Sequence, residues 1–167
     1  MSALYFASVW IHVLSAIAWI GGMLFLVLVV VPWMRTQDRA TGARFLAETG
    51  RRFSKVGWVA FALLFATGCF NLSYRGVTLD SFTDPRWLGS SFGRTVIAKL
   101  AIFALVLVMS AVHDFAHGPR ALEEIRRDPG SARAEVMRRR ASLLGRLNAL
   151  LALVLFTLGV AIVRGWP

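Results

Sequence analysis

The sequence predicts an all-α integral membrane protein, a four-helix bundle with both termini outside, on the periplasmic side. Three observations carry that expectation. Of 167 residues, 57% are hydrophobic and only 17% are charged, whereas soluble domains keep about a quarter of their residues charged. No charged side chain occurs from Met1 to Met34. The 19 Lys and Arg against 9 Asp and Glu gather mostly in two segments between apolar runs. That placement fixes orientation in a bilayer and differs from the basic face of a nucleic-acid binder, so no nucleic-acid partner is expected. Cys69 stands alone, which excludes a disulfide scaffold.

A spanning helix needs about 20 mostly apolar residues. Four stretches qualify, at about 3–31, 54–74, 95–117 and 143–163, and the chain 1–167 reads as a single four-span domain. The first lacks a basic n-region and exceeds a signal-peptide core, so it is expected to be retained. Arg35, Arg39, Arg44, Arg51, Arg52 and Lys55 lie between spans one and two, and a larger set from Arg120 to Arg146 lies between spans three and four. The positive-inside rule then makes both basic loops cytoplasmic and the location the cell inner membrane. Trp33 falls at the inner interface, and Trp10, Trp87 and Trp166 near the outer one, as aromatic belts do. The segment from Glu123 to Arg140 reads as a charged amphipathic helix or a helix extension over anionic lipid. No convincing internal repeat is visible beyond a loose two-plus-two arrangement of spans.

Ionisable groups inside spans are costly and are default functional candidates. Counting at 1.5 Å per residue from Trp33, the outer boundary of span one falls near His12. The same ruler run from Gly118 brings Lys99 to that level, and Asn71 and Tyr74 join it, with Thr67 one turn deeper. His113 and His117, flanking Asp114, belong to the inner end near Lys55 and Arg146. About 21 Å of helix rise separates Lys99 from His113, so His12 and His113 are not expected to be the two axial ligands of one haem. His12 is either a ligand or a partner of headgroups and backbone, and Lys99 either lines a pocket or snorkels. His113 and His117 share a helix face and could hold a metal, or simply interact with the helix C-terminus. Met23, Met34 and Met109 lie at different depths and form no ladder for copper(I). Gly21 and Gly22 would let helices approach closely, or admit a flat ring.

Span one reads His12-Val13-Leu14-Ser15-Ala16-Ile17-Ala18-Trp19-Ile20-Gly21-Gly22, an H-x6-W-x-G-G pattern. It resembles the first helix of the copper resistance protein D (CopD) family, in a short four-helix form, and is similar to that of the haem-containing bacterial protoporphyrinogen oxidases. Arg52-Phe53-Ser54, Ala66-Thr67-Gly68 and the stretch from Gly93 through Arg94 to Lys99 and Leu100 also resemble the copper-resistance family. The first likeness implies copper handling or membrane electron transfer through a metal or b-type haem held at His12, with Trp19, Arg94, Lys99, Asn71 and Tyr74 around the cofactor. Haem b and a copper ion are the alternative cofactors. The second likeness implies His12 as haem ligand, Lys99 as a functional lysine, and an oxidase of a porphyrinogen or quinol whose acidic substrate Arg94 and Lys99 would steer. A non-catalytic accessory subunit, docking through its basic loops or as a homo-oligomer, is the third possibility. Whether the chain is an enzyme stays open. No Ser-His-acid triad or glycine-rich phosphate loop is present.

Overall fold

The computed structural model describes residues 2–34, 36–128 and 130–165, with side chains at all of these except 39, 40, 43 and 126. Arg35 and Trp166 therefore lie outside the described residues, as do the side chains of Arg39 and Arg126. Four helices are long and apolar enough to cross a membrane, and no strand occurs among the described residues. Helix α1 is Ala3–Met34 and α2 is Arg39–Tyr74. After a 3-10 turn at Leu79–Thr83 comes the short α3, Pro85–Gly89. Then follow α4, Ser91–Val112, its continuation α5, Gly118–Arg127, and α6, Ala132–Arg164. The 36 residues of α2 extend about 54 Å, well beyond a hydrocarbon core of about 30 Å. The expected helix in the second basic segment is thus two pieces, α5 prolonging α4 and the first turns of α6.

Each start has a local cause. Ser2 caps α1, Asp38 caps α2, Ser90 caps α4 and Ser131 caps α6, each side chain accepting from a backbone N–H in the first turn. At α3, Asp84 caps and Pro85 supplies a preset φ. Ser90 also donates to the Trp87 carbonyl at 2.6 Å. That bend is so tight that a Cβ on Gly93 would lie 2.0 Å from the Trp87 carbonyl oxygen.

Two wide π turns interrupt the long helices, at Leu26–Val30 in α1 and at His113–His117 between α4 and α5. Both end two residues before a proline, Pro32 and Pro119. A proline offers no N–H and its ring collides with the carbonyl four residues earlier, so the helix relieves the conflict by widening. These turns expose an order that composition hides. The offset that carries Pro32 onto Pro119 also carries Leu26–Val30 onto His113–His117, Glu48 onto Glu135, and His12 onto Lys99. Glu48 accepts from Arg51 and Arg52, and Glu135 accepts from Arg138 and Arg139 in the same way. The two halves, α1–α2 and α4–α6, are therefore structurally matched, and α1 packs chiefly on α2 as α4 does on α6. The two halves thus share a π turn before a proline and a Glu–Arg–Arg cluster at one common offset.

The core lies at mid-depth, where Trp19, Met23, Ala60, Phe61, Val106 and Ala152 meet. Trp19 is 3% exposed and Val106, its counterpart, is 0% exposed. Phe61 is the hub, with ring centroids 4.8 Å from Trp19, 5.5 Å from Trp58 and 6.1 Å from Phe103, all edge-on. Small residues, Ala60 of α2 and Ala149 and Ala152 of α6, let the helices close on these rings. Gly93→Ala is expected to cost about 1–3 kcal/mol by forcing backbone apart, and Trp19→Ala about 3–5 kcal/mol by emptying the core. Unfolding midpoints in detergent measure both, and a wild-type midpoint in either variant contradicts this packing.

Candidate functional site

Within lipid no water stands by to solvate a polar side chain, so each one must find a partner in the bundle or carry a cost. Near the end of the bundle opposite the two arginine-rich segments, α1 brings His12 to α2, where Nδ1 lies 2.8 Å from Thr67 Oγ1. The Thr67 hydroxyl donates its one proton to the Leu63 carbonyl at 2.5 Å. It can therefore only accept from His12, which assigns the proton to Nδ1 and leaves the Nε2 lone pair available. The ring fits because of Gly68, where a Cβ would lie 3.6 Å from His12 Cε1.

Lys99 comes to the same depth from α4 by helix rise. Its Nζ would sit 3.3 Å from a Cβ at Gly159, so the absent side chain on α6 gives it room. Lys99 has no carboxylate partner among the described residues. Around the pair, Ser8 Oγ and Asn71 Oδ1 are buried without a hydrogen-bond partner among the described residues. Ser8 lies one turn before His12 and Asn71 one turn after Thr67, so three of the four spanning helices, α1, α2 and α4, present polar groups here while α6 presents a gap.

The other expected residues separate. Tyr74 stacks on Tyr5 with centroids 4.1 Å apart, and its hydroxyl accepts from the Ser2 backbone N–H at 3.3 Å, closing the helix ends. Arg94 is exposed and lines a groove of about 430 Å³ with Ser91, Thr95, Ala98 and Leu158. Trp19 belongs to the core. The H-x6-W-x-G-G pattern is thereby divided between two jobs. A Cβ on Gly57 would lie 3.6 Å from Trp19 Cδ1, and one on Gly22 would lie 2.4 Å from Phe53 Cε2, so Trp19 and Gly22 serve the α1–α2 contact. The room that Gly22 leaves is filled by Phe53, and Gly21 faces open space. Met23 and Met34 are buried packing residues.

At the basic end, Asp114 is held from α2. Its Oδ2 accepts from Ser54 Oγ at 2.5 Å and from Trp58 Nε1 at 3.1 Å. Neither Lys55 nor Arg146 forms an ion pair with it. Asn148 of α6 donates to Ser110 Oγ at 3.0 Å. His113 Nδ1 is buried without a partner among the described residues, while His117 lies with Nδ1 3.4 Å from the Val112 carbonyl. The two histidines thus have different environments, and no group of three or more His, Cys, Asp or Glu that could hold a metal occurs among the described residues. Trp58 and Asn148 were not singled out from the sequence. The spacing of Ser54 and Trp58, four apart on a helix facing an intramembrane aspartate, is the signal that would have found the first.

The sequence profile of copper resistance protein D matches residues 47–163, a stretch that begins after His12. An uncharacterized protein of Aquifex aeolicus (strain VF5) is 34% identical over 157 residues, covering 93% of each chain. The copper transport protein CutJ of Bacillus subtilis (strain 168) is 28% identical over 103 residues, which is 62% of this chain and 17% of CutJ. No solved structure matches. The profile match spans α2 through α6, including the Asp114 clamp and the Lys99 turn, and the chain belongs to the copper resistance protein D family.

Proposed function

We propose that the chain handles copper in a membrane and that His12 Nε2 is the ligand atom of its outer site. The carrying observation is the His12–Thr67 bond. A ligating histidine characteristically donates its other ring N–H to a neighbour, which fixes both tautomer and ring orientation, and Thr67 fills that role at 2.8 Å. Family membership and the likeness to a copper transport protein support copper as the cargo, and imidazole suits it. Lys99 sets the charge condition. A charged Lys99 opposes a bare cation beside it, so copper at His12 is expected to arrive with an anionic donor.

A b-type haem at the same nitrogen is the second reading, whether for electron transfer or for an oxidase. The uncompensated Lys99 favours it, because haem carries two carboxylates. The fit is poor: neither the groove beside Arg94 nor the smaller one beside Trp58 and Phe65 is lined by His12, and the glycine face of α1 is filled by Phe53.

The proposed orientation follows the charge. With both basic ends in the cytoplasm, the termini and His12 face the periplasmic side of the inner membrane, where incoming copper is met. In competition with a chromophoric copper(I) chelator, His12→Ala is expected to lose outer-site binding, and Thr67→Val to weaken it by about 10–100-fold. Unchanged affinity in His12→Ala defeats the copper reading, and a Soret band in the purified wild type, lost in His12→Ala, establishes the haem one. Single cysteines introduced at Ser2 and at Gly165 in a Cys69→Ala background should both react with a membrane-impermeant thiol reagent on spheroplasts. A cysteine at Arg140 should not, and the opposite pattern inverts the topology.

A further inference from the structure

The second π turn carries a polar cluster that the first one lacks. Ser110 stands one turn before His113 and Asp114, three and four residues away, so it neighbours both, and the two follow one another at the start of the turn. Asn148 of α6 joins them through Ser110. Both hydrogen bonds to Asp114 fall on Oδ2, and Oδ1 takes none among the described residues. His113 Nδ1 and Asn148 Oδ1 are buried and equally without a partner. Oδ1 of Asp114 and Oδ1 of Asn148 are acceptors, and so is His113 Nδ1 in its other tautomer. Among the described residues no Lys or Arg forms an ion pair with the carboxylate.

The matched halves show that the fold does not require this chemistry. Where the second half has Ser110, His113 and Asp114, the first has Met23, Leu26 and Val27. It nevertheless forms the same π turn before the same proline. A carboxylate, an imidazole and an amide placed in lipid depth, where apolar residues suffice for the backbone, need another reason.

We propose that Asp114, His113 and Asn148 form a second cation site at the basic end of the bundle, separate from His12, that takes a divalent transition-metal ion. One anionic oxygen, one imidazole nitrogen and one amide oxygen make a borderline set without sulfur, which suits copper(II) or zinc(II) over copper(I). Ser54 and Trp58 are its positioning residues. By occupying Oδ2 they orient the carboxylate and leave Oδ1 for the ion, as the hydrogen-bonded carboxylates of metal sites are arranged. The aromatic layer around Phe61 lies between this cluster and His12. The proposal does not rest on copper binding at His12.

The test uses the whole chain in detergent, with His12→Ala removing the other imidazole site and Cu2+ as the probe. Electron paramagnetic resonance should then show copper bound with one imidazole nitrogen. His113→Ala in that background should abolish the signal, and His117→Ala should leave it. Asp114→Asn should weaken binding at least about tenfold, and Trp58→Phe, which leaves every proposed ligand in place, by about 10–100-fold. Should Asp114→Asn fail to fold, Asn148→Ala keeps the carboxylate clamp and is expected to weaken Cu2+ severalfold. Absence of bound Cu2+ in His12→Ala, persistence of the signal in His113→Ala, or its loss in His117→Ala alone overturns the site.

Discussion

A polar side chain in hydrocarbon must be answered from within the protein, and in this bundle most of the answers come from one helix. Thr67 of α2 receives His12, and Ser54 and Trp58 of α2 receive Asp114. The two polar levels are therefore both keyed to the same rigid rod, on either side of an aromatic core also centred on that rod through Phe61. An exposed ion pair such as Glu123 with Arg127 contributes little in comparison, because water and salt compete for it. The buried bonds leave behind costly unpaired groups when either partner is removed.

The internal correspondence explains why the two levels differ in kind. A doubled helix pair places equivalent positions at equal depth, and here the equivalent positions are occupied by His12 and Lys99. What could have been a symmetric pair of imidazoles is instead an imidazole and an amine, so the two halves place different chemistry at one depth. At the other level the equivalent positions hold apolar residues in one half and Ser110, His113 and Asp114 in the other. The scaffold is shared, and the chemistry is laid on it unequally.

The four long helices were readable in advance because lipid imposes a length and an apolar content that few other environments demand. The expectation that His12 and Lys99 share a depth rests on rise per residue alone. The roles of Trp19 and Gly22 do not rest on it. Tryptophan and glycine at a fixed distance from a histidine fit a cofactor pocket and a close helix crossing equally well, and only the position of Phe53 and Gly57 on the facing helix decides between them. Tyr74 was at the expected depth yet stacks on Tyr5 instead of facing the site, since depth says nothing of rotation about a helix axis.

Composition, apolar run length and arginine placement determined that this chain is a set of four membrane-length helices, because those quantities depend only on residues close together in sequence. Pro32 and Pro119 likewise determined where two of those helices widen. Which hydroxyl meets which imidazole, and that Asn148 and Trp58 stand beside the Asp114 turn, was decided by tertiary structure. Those partners lie far apart in the chain, and the rotation of each helix about its own axis is chosen only when neighbouring helices pack.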